Sequence, residues 1–531
     1  MARLLLLSLL LVGCSADRSS PSFDGGSSSE PRDGATTAPD GGRVEPGVDA
    51  GTETPGSDAG TYDAGARDAG TIDAGSRVPV DPSPPRGPDV PAGCDFGGRD
   101  LVGDDPWPPR SGDRETVRAG SFTDEYLYDA TGAFKVGLRR EWGSSVVFFG
   151  ESGDLPGMNL RNTIDADDTG REAQVALYDP DREVQGCAWN ASCARVDGCP
   201  LQIRYLGWNP VQGGNRCNVG SPTDRITATY GSLVAQTVPL QWNPDWDARE
   251  CSADSCGGDS ARRSDVRLTQ TLRFVAPRVA SLRYTVENLV DVAHAATLQE
   301  MPTLYTANGK RGRPDLWRLM DPNGTQIPID TPSGSDGFFY ENFSASGPWV
   351  ALMNDDLSYG VAILYENGLR DFQGWQKRDL PFNNVRSRIV FGLPARGVVH
   401  ARAYLIVGSF DQIRTEAERL LRTTPAFGVL DFPGEASSSG RVRVQGWALD
   451  NRGVASIEVR VNDGPAVAMR YGDGRPDVCA VWPGYPRCPN VGYSGEIDLG
   501  AASSCPKLVR VEAVDTDENR RVIAERLVTV R

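Results

Sequence analysis

The densest chemistry in this sequence lies in three short passages: Asn162 to Asp179, reading NTIDADDTGREAQVALYD; Gly207 to Asn215, reading GWNPVQGGN; and Gln241 to Trp246, reading QWNPDW. Together they mix indoles, carboxamides, an arginine and carboxylates. A pyranose has an apolar face that stacks on an aromatic ring and a rim of hydroxyls that need directional partners, so sugar recognition calls for this mixture. The candidate contacts are Asn162, Arg171, Gln174, Tyr178, Trp208, Asn209, Gln212, Trp242 and, further along, Trp349. Core packing is the competing use of the tryptophans. Glycoside hydrolysis needs two carboxyl groups, one protonated and one ionised. Asp168, Glu172, Asp245 and Glu300 are the acids that could serve, against ordinary salt bridges for each. Asp165, Asp167 and Asp168 stand close enough to ligate calcium, or else cap turns and pair with Arg171. No other cofactor is indicated.

Composition narrows the possibilities. The chain has 531 residues, Lys+Arg 55 against Asp+Glu 71, and a formal net charge of −16. That balance argues against nucleic acid, whose phosphates need clustered cations. Only two histidines occur, His294 and His400, which excludes a multi-histidine metal centre and leaves few ways to build a serine–histidine triad. Both are expected in plain structural roles. Chemistry must therefore fall to carboxylates, arginine, amides and tryptophan.

The elements that would position these groups follow from the chain's organisation. Residues 1–14 read as a signal peptide: a short basic start, an apolar run from Leu4 to Val12, then Gly13-Cys14. The run is too short to span a bilayer. Its end resembles the lipobox of bacterial lipoproteins, which implies cleavage before Cys14, lipidation of Cys14, and a lipid as the only membrane anchor. Export to the cell envelope, at the outer membrane or cell surface, is the expectation. Residues 15–92 read as a disordered linker rich in Asp, Gly, Pro and Ser, with 14 acidic and 6 basic residues and an Asp-Ala-Gly repeat every five positions. Residues 93–424 are dominated by short strand-like runs, among them Ser144 to Phe149, Arg267 to Val275, Val279 to Val286, Trp349 to Met353, Val361 to Tyr365 and Val398 to Val407. One helix is expected over Ser409 to Arg422, opened by a Ser409/Gln412 capping box. The fold class is mainly β: a large antiparallel sandwich bearing the glycan site. Residues 425–531 restart the pattern as a second, immunoglobulin-like sandwich.

The eleven cysteines suit an oxidising compartment. Cys187 with Cys193 and Cys251 with Cys256 could close short loops, Cys199 with Cys217 is a further option, and Cys479 with Cys488 would clip a loop near the C-terminus. Cys505 has no local partner. Zinc, the rival, usually shows CxxC pairs, and none occurs.

The central passages resemble a group of secreted bacterial proteins of supersandwich fold associated with carbohydrate processing. The matching positions are Asn162, Asp168, Gly170, Arg171, Gln174 and Tyr178; Asn209 to Gly214; Glu300, Pro302 and Tyr305; and Trp349 to Leu352. The Gly446-Trp447-Ala448-Leu449-Asp450 and Val461-Asn462-Asp463-Gly464 passages resemble bacterial Ig-like accessory modules. The resemblance implies a lipid-anchored surface protein that processes or binds a polysaccharide, as a carboxylate-based hydrolase or lyase. The alternatives are a non-catalytic glycan-binding or adhesion lipoprotein and a structural envelope protein.

Overall fold

The computed structural model describes residues 78–79, 94, 111–153, 161–166, 171–179, 207–211, 220–229, 231–242, 263–309, 313–333, 337–377, 382–437, 440–462 and 464–531. The signal peptide with Cys14, nearly all of the linker, and the six cysteines from Cys187 to Cys256 lie outside them.

The chain is mainly β, as its patterning predicts. Two large sheets face each other across one core. The first has 14 strands, and its central part runs in the order Ser145–Glu151, Ala173–Tyr178, His294–Tyr305, Phe382–Ser387, Asp371–Lys377, Phe338–Ser344. The second has eight, running from Arg318–Met320 through Val398–Gly408 and Val279–Asn288 to Arg225–Thr229. Val175, Leu177, Leu304, Phe372 and Val385 of the first sheet share a buried core with Leu272, Leu282, Val350, Ile363 and Leu405 of the second.

Helix α1, Phe410–Thr423, covers the far side of the second sheet. Its predicted capping box is present: the Gln412 amide N–H donates to Ser409 Oγ, and the Ser409 N–H donates to Gln412 Oε1. Phe410, Ile413, Ala417 and Leu420 pack on Trp349, Ala351, Leu364 and Ile406. This explains why Trp349–Met353 and Gly360–Tyr365 are continuous apolar runs: both of their faces are buried. The first sheet is different. Its outer face alternates polar and aromatic residues, and no helix among the described residues lies on it.

Residues 427–530 form a third sheet of eight strands around a separate core. It turns at Val467–Asp473, which pairs with Gly492–Asp498 on one edge and Val454–Val461 on the other. The junction with the sandwich is buried and charged. The Arg402 guanidinium lies over the Phe427 and Trp482 rings at 4.0 and 4.6 Å, donates to Glu366, and has His400 stacked nearby on Trp482 at 4.5 Å. Cys479–Cys488 is bonded as expected, and Cys505, without a local partner in the sequence, bonds Cys94 across a separation of 411 residues.

Asp450 sits at this junction, 4% exposed, with Oδ1 accepting the N–H groups of Arg452 and Gly453. Burial, with the Asp515 and Glu366 charges adding to it, pushes its carboxyl up to about 7 against the opposing N–H bonds. Because the folded value lies above the unfolded one, folding loses stability as pH rises from about 4 to 7, and the full penalty remains above 7. Asp450→Asn keeps the acceptor and removes the charge. It is expected to raise the melting temperature at pH 8 and leave it unchanged at pH 4, as measured by calorimetry.

Candidate functional site

The outer face of the first sheet gathers the chemistry. Three cross-strand rows build it, because side chains two apart share a face and paired strands bring their rows into line. One row is Phe338, Lys377 and Phe382; the next is Tyr340, Trp375, Asn384 and Tyr305; the third is Asn342, Gln373, Arg386, Thr303 and Gln174. The aromatic members touch: Tyr340 stacks on Trp375 at 5.1 Å, and Phe382 meets Tyr305 and Phe338 edge-on, each at 5.4 Å.

A hydrogen-bonded chain crosses five strands beside them. The Tyr178 hydroxyl donates to Glu300 Oε1 at 2.9 Å, and Arg386 forms a short ion pair with the same oxygen. Arg386 also donates through Nε and Nη2 to Gln373 Oε1, and Gln373 Nε2 donates to Asn342 Oδ1 at 2.9 Å. Glu300 is thus buried but paired, while the Arg386 side chain retains 20% exposure.

At the other end of the face, Asp165 donates its main-chain N–H to Tyr305 O, and Tyr305 donates its own to Glu172 O, each at 3.3 Å. Asp165 and Glu172, seven positions apart, therefore both bond the main chain of Tyr305. Arg171 lies 3.9 Å from Asp165 Oδ2 and 5.5 Å over Phe382, and Asn308 Nδ2 donates to Asp165 Oδ2 at 3.4 Å. Glu172 and Glu300 are not a facing pair. Glu300 pairs with Ala176, four residues along the strand from Glu172, which is roughly 13 Å of backbone. Glycosidase carboxyls stand about 5 Å apart in retaining enzymes and about 6.5–9.5 Å apart in inverting ones.

The sequence-derived candidates divide accordingly. Arg171, Glu172, Gln174, Tyr178 and Glu300 share this face. Asn162 does not reach it: its buried amide accepts from the Phe149 and Ile164 N–H groups and donates to Val147 O, tying its own segment to the strand Ser145–Glu151. Asn209 is buried and accepts from the Val211 N–H, which shapes the turn at Pro210. Trp208, 1% exposed, meets His294 edge-on at 4.7 Å, and Trp349 packs toward Phe410 beneath helix α1, so neither ring offers a face to a sugar. Asp167, Asp168, Gln212 and Asp245 fall outside the described residues, as does the Trp242 side chain. For calcium, Asp165 is poorly placed, with the Arg171 cation beside it. Among the described residues no three acidic, histidine or cysteine side chains gather as a metal site.

Sequence reasoning missed Gln373, Trp375, Lys377, Phe382, Asn384 and Arg386. The available signal was the alternation in DFQGWQK, which places Gln373, Trp375 and Lys377 on one face. His294 is structural, as expected, though in a charged setting: its Nδ1 lies 3.0 Å from Asp179 Oδ2 and its Nε2 3.5 Å from Asp265 Oδ2.

No family model matches the chain, and no curated protein matches it. Among solved structures it is similar to a polysaccharide lyase, at 10% identity and a TM-score of 0.29, covering 75% of this chain and 47% of that one, so it spans about half the lyase's length. It is also similar to a Klebsiella pneumoniae protein assigned as an aldose 1-epimerase (11% identity, TM-score 0.33, 58% and 87% coverage). A third is the 4-alpha-glucanotransferase of Thermococcus litoralis (8%, 0.27, 56% and 39%). All three names describe carbohydrate-active proteins. At such scores no residue role carries over from them.

Proposed function

We propose that the outer face of the first sheet binds a polysaccharide, on a protein that is exported and held at the cell envelope by a lipid on Cys14. The observation that supports this reading is the pairing on one face of two half-buried rings, Tyr340 and Phe338, which lie on the buried cluster of Trp375, Phe382 and Tyr305, with a hydrogen-bonded amide, arginine and carboxylate chain (Asn342, Gln373, Arg386, Glu300). The first group suits a pyranose face and the second its hydroxyls. Residues 425–531 serve in this reading as an Ig-like accessory module.

Catalysis is the second reading. Its support is the Tyr178 phenol bonded to a carboxylate that Arg386 neutralises, a group able to exchange a proton with a substrate, and the acids Asp165 and Glu172, whose main chains both bond Tyr305. A panel of polysaccharides separates the two. Retention on an insoluble glycan without release of reducing or unsaturated ends marks a binder; release that Tyr178→Phe and Glu300→Gln each lower at least a hundredfold marks an enzyme. In either case Arg386→Leu, whose melting curve is recorded alongside because it strands the buried Glu300 carboxylate, is expected to weaken retention at least tenfold at a temperature where the variant is folded. Undiminished retention by that variant sinks the assignment of this face.

A further inference from the structure

The Cys94–Cys505 bond joins the end of the linker to the C-terminal sheet across 411 positions of chain, so residues 95–504, the whole sandwich included, lie inside one closed loop. Cys505 stands between the strands Gly492–Asp498 and Lys507–Asp515, and each of these is paired on both sides within its sheet. The other point at which the linker meets the fold is weaker. Past Cys94 the chain enters the sandwich at Ser111–Ala119, whose outer neighbour among the described residues is the two-residue Val78–Pro79. The strands Phe122–Asp129, Phe134–Arg139 and Ser145–Glu151 then follow as neighbours in sequence order. A chain pulled from that end opens such a meander strand by strand, breaking only a few ladder bonds at a time.

Resting on the reading of the chain as anchored through its linker, we propose that the C-terminal sheet is the mount of the sandwich: tension in the linker passes through Cys94–Cys505 into that sheet and crosses the junction to reach the sandwich, bypassing the meander. The junction is fitted to carry it. Glu366 bonds Arg402 and Tyr404 on the sandwich side and the Tyr485 hydroxyl on the other, and Arg402 lies over Phe427 and Trp482. Three carboxamides cross the same boundary: Asn367 Nδ2 donates to Pro483 O at 3.1 Å, Asn451 Nδ2 to Leu421 O at 3.3 Å, and Asn519 Nδ2 to Arg422 O at 2.6 Å. Load spread over these contacts must break them together, whereas load on the meander breaks one pairing after another.

The test uses the full chain, held by peptide handles at the start of the linker and at Arg531. Digestion without reductant comes first: a linked pair of peptides holding Cys94 and Cys505 is expected, and Cys94 found free or joined to another cysteine overturns the proposal. Under load the oxidised protein is expected to release at most about 150 Å beyond the linker, since only residues 80–93 and 506–531 then lie outside the loop. The double variant Cys94→Ser, Cys505→Ser is expected to release more than about 1,000 Å, and wild type in reductant gives the same comparison if that variant does not fold. A second pull, from the linker to a handle at the exposed Thr331 on the edge of the first sheet, separates a mount from a simple staple. There the oxidised wild type is expected to yield at a force at least twofold above that of the double variant, and Glu366→Leu, which loosens the junction, to lower that force. Equal forces for the oxidised wild type and the double variant mean that no load passes through the C-terminal sheet, and overturn the mount even with the disulfide confirmed. The anchor is read separately, by the mass of the N-terminal peptide from envelope fractions: an unlipidated Cys14 removes the anchored reading and leaves the force measurements as they stand.

Discussion

Replacing Glu366 with leucine is expected to lower stability by about 3–5 kcal/mol, the cost of stranding a buried charge, and to drop the melting temperature by about 10 °C for a chain of this size. Glu366 is 2% exposed and is the carboxylate at the junction between the sandwich and the C-terminal sheet. Its Oε1 accepts from Arg402 at 2.9 Å and from the Tyr485 hydroxyl at 3.3 Å, and its Oε2 accepts from the Tyr404 hydroxyl at 2.6 Å. Burial alone would favour the neutral acid, but the Arg402 and Arg283 charges and the hydrogen bonds outweigh it, so the carboxyl stays below its ordinary range. The stabilisation is therefore present above the unfolded carboxyl value and disappears as pH falls through the lower folded one. Leucine leaves Arg402, over the Phe427 and Trp482 rings and beside Arg283, without the Glu366 carboxylate. Glu366→Gln keeps the shape and loses only the charge, so it should fall between wild type and leucine. Adding Arg402→Met to Glu366→Leu should recover part of the loss, because a buried ion pair replaced whole by apolar groups is often neutral. Calorimetry that finds the leucine variant within 1 kcal/mol of wild type would show that the junction does not depend on this charge.

The second large effect is at His294, and it depends on pH. The imidazole is 7% exposed, between Asp179 and Asp265, with Trp208 against its ring. Burial opposes its charge, yet the hydrogen bonds and charges of the two aspartates prevail and raise its value to about 9. The folded value lies above the unfolded one, near 6.5, so the contribution is complete below about pH 6.5 and is lost as pH rises through 9. A rise of this size corresponds to roughly 3 kcal/mol. The sandwich should therefore melt progressively lower between pH 6.5 and 9. His294→Gln should be destabilised most at pH 6, where it removes the imidazolium held between Asp179 and Asp265, and should nearly match wild type at pH 9.5. Parallel melting profiles for the two proteins across that range would rule out an imidazolium at this position.

Much of the architecture was legible before any coordinates. The alternation in Arg267 to Val275, the unbroken apolar runs at Trp349 to Met353 and Val361 to Tyr365, and the capping box at Ser409 each encode an element through local spacing, and each element is present. The site was legible only in part. Arg171, Glu172, Gln174, Tyr178 and Glu300 stood out as chemically suited residues, but so did Asn162, Asn209, Trp208 and Trp349, whose side chains the fold uses internally. A sequence shows that a tryptophan is present without showing which side of a sheet it lies on, and a strand that slips by one residue reverses every side chain.

What the sequence determined by itself was therefore chemical inventory and local form. Two histidines and a −16 charge restricted the possible chemistry to carboxylates, arginine, amides and aromatics, and residue spacing wrote the strands and helix α1. The tertiary structure decided which of those groups meet. Tyr178, Glu300, Arg386, Gln373 and Asn342 come from five strands spread between positions 178 and 386 of the chain, and only sheet order and register draw them into one hydrogen-bonded row. The same long-range pairing brings Cys94 to Cys505. Contacts of that kind depend on strands distant in sequence coming together around a shared core, and no local pattern in the sequence carries that information.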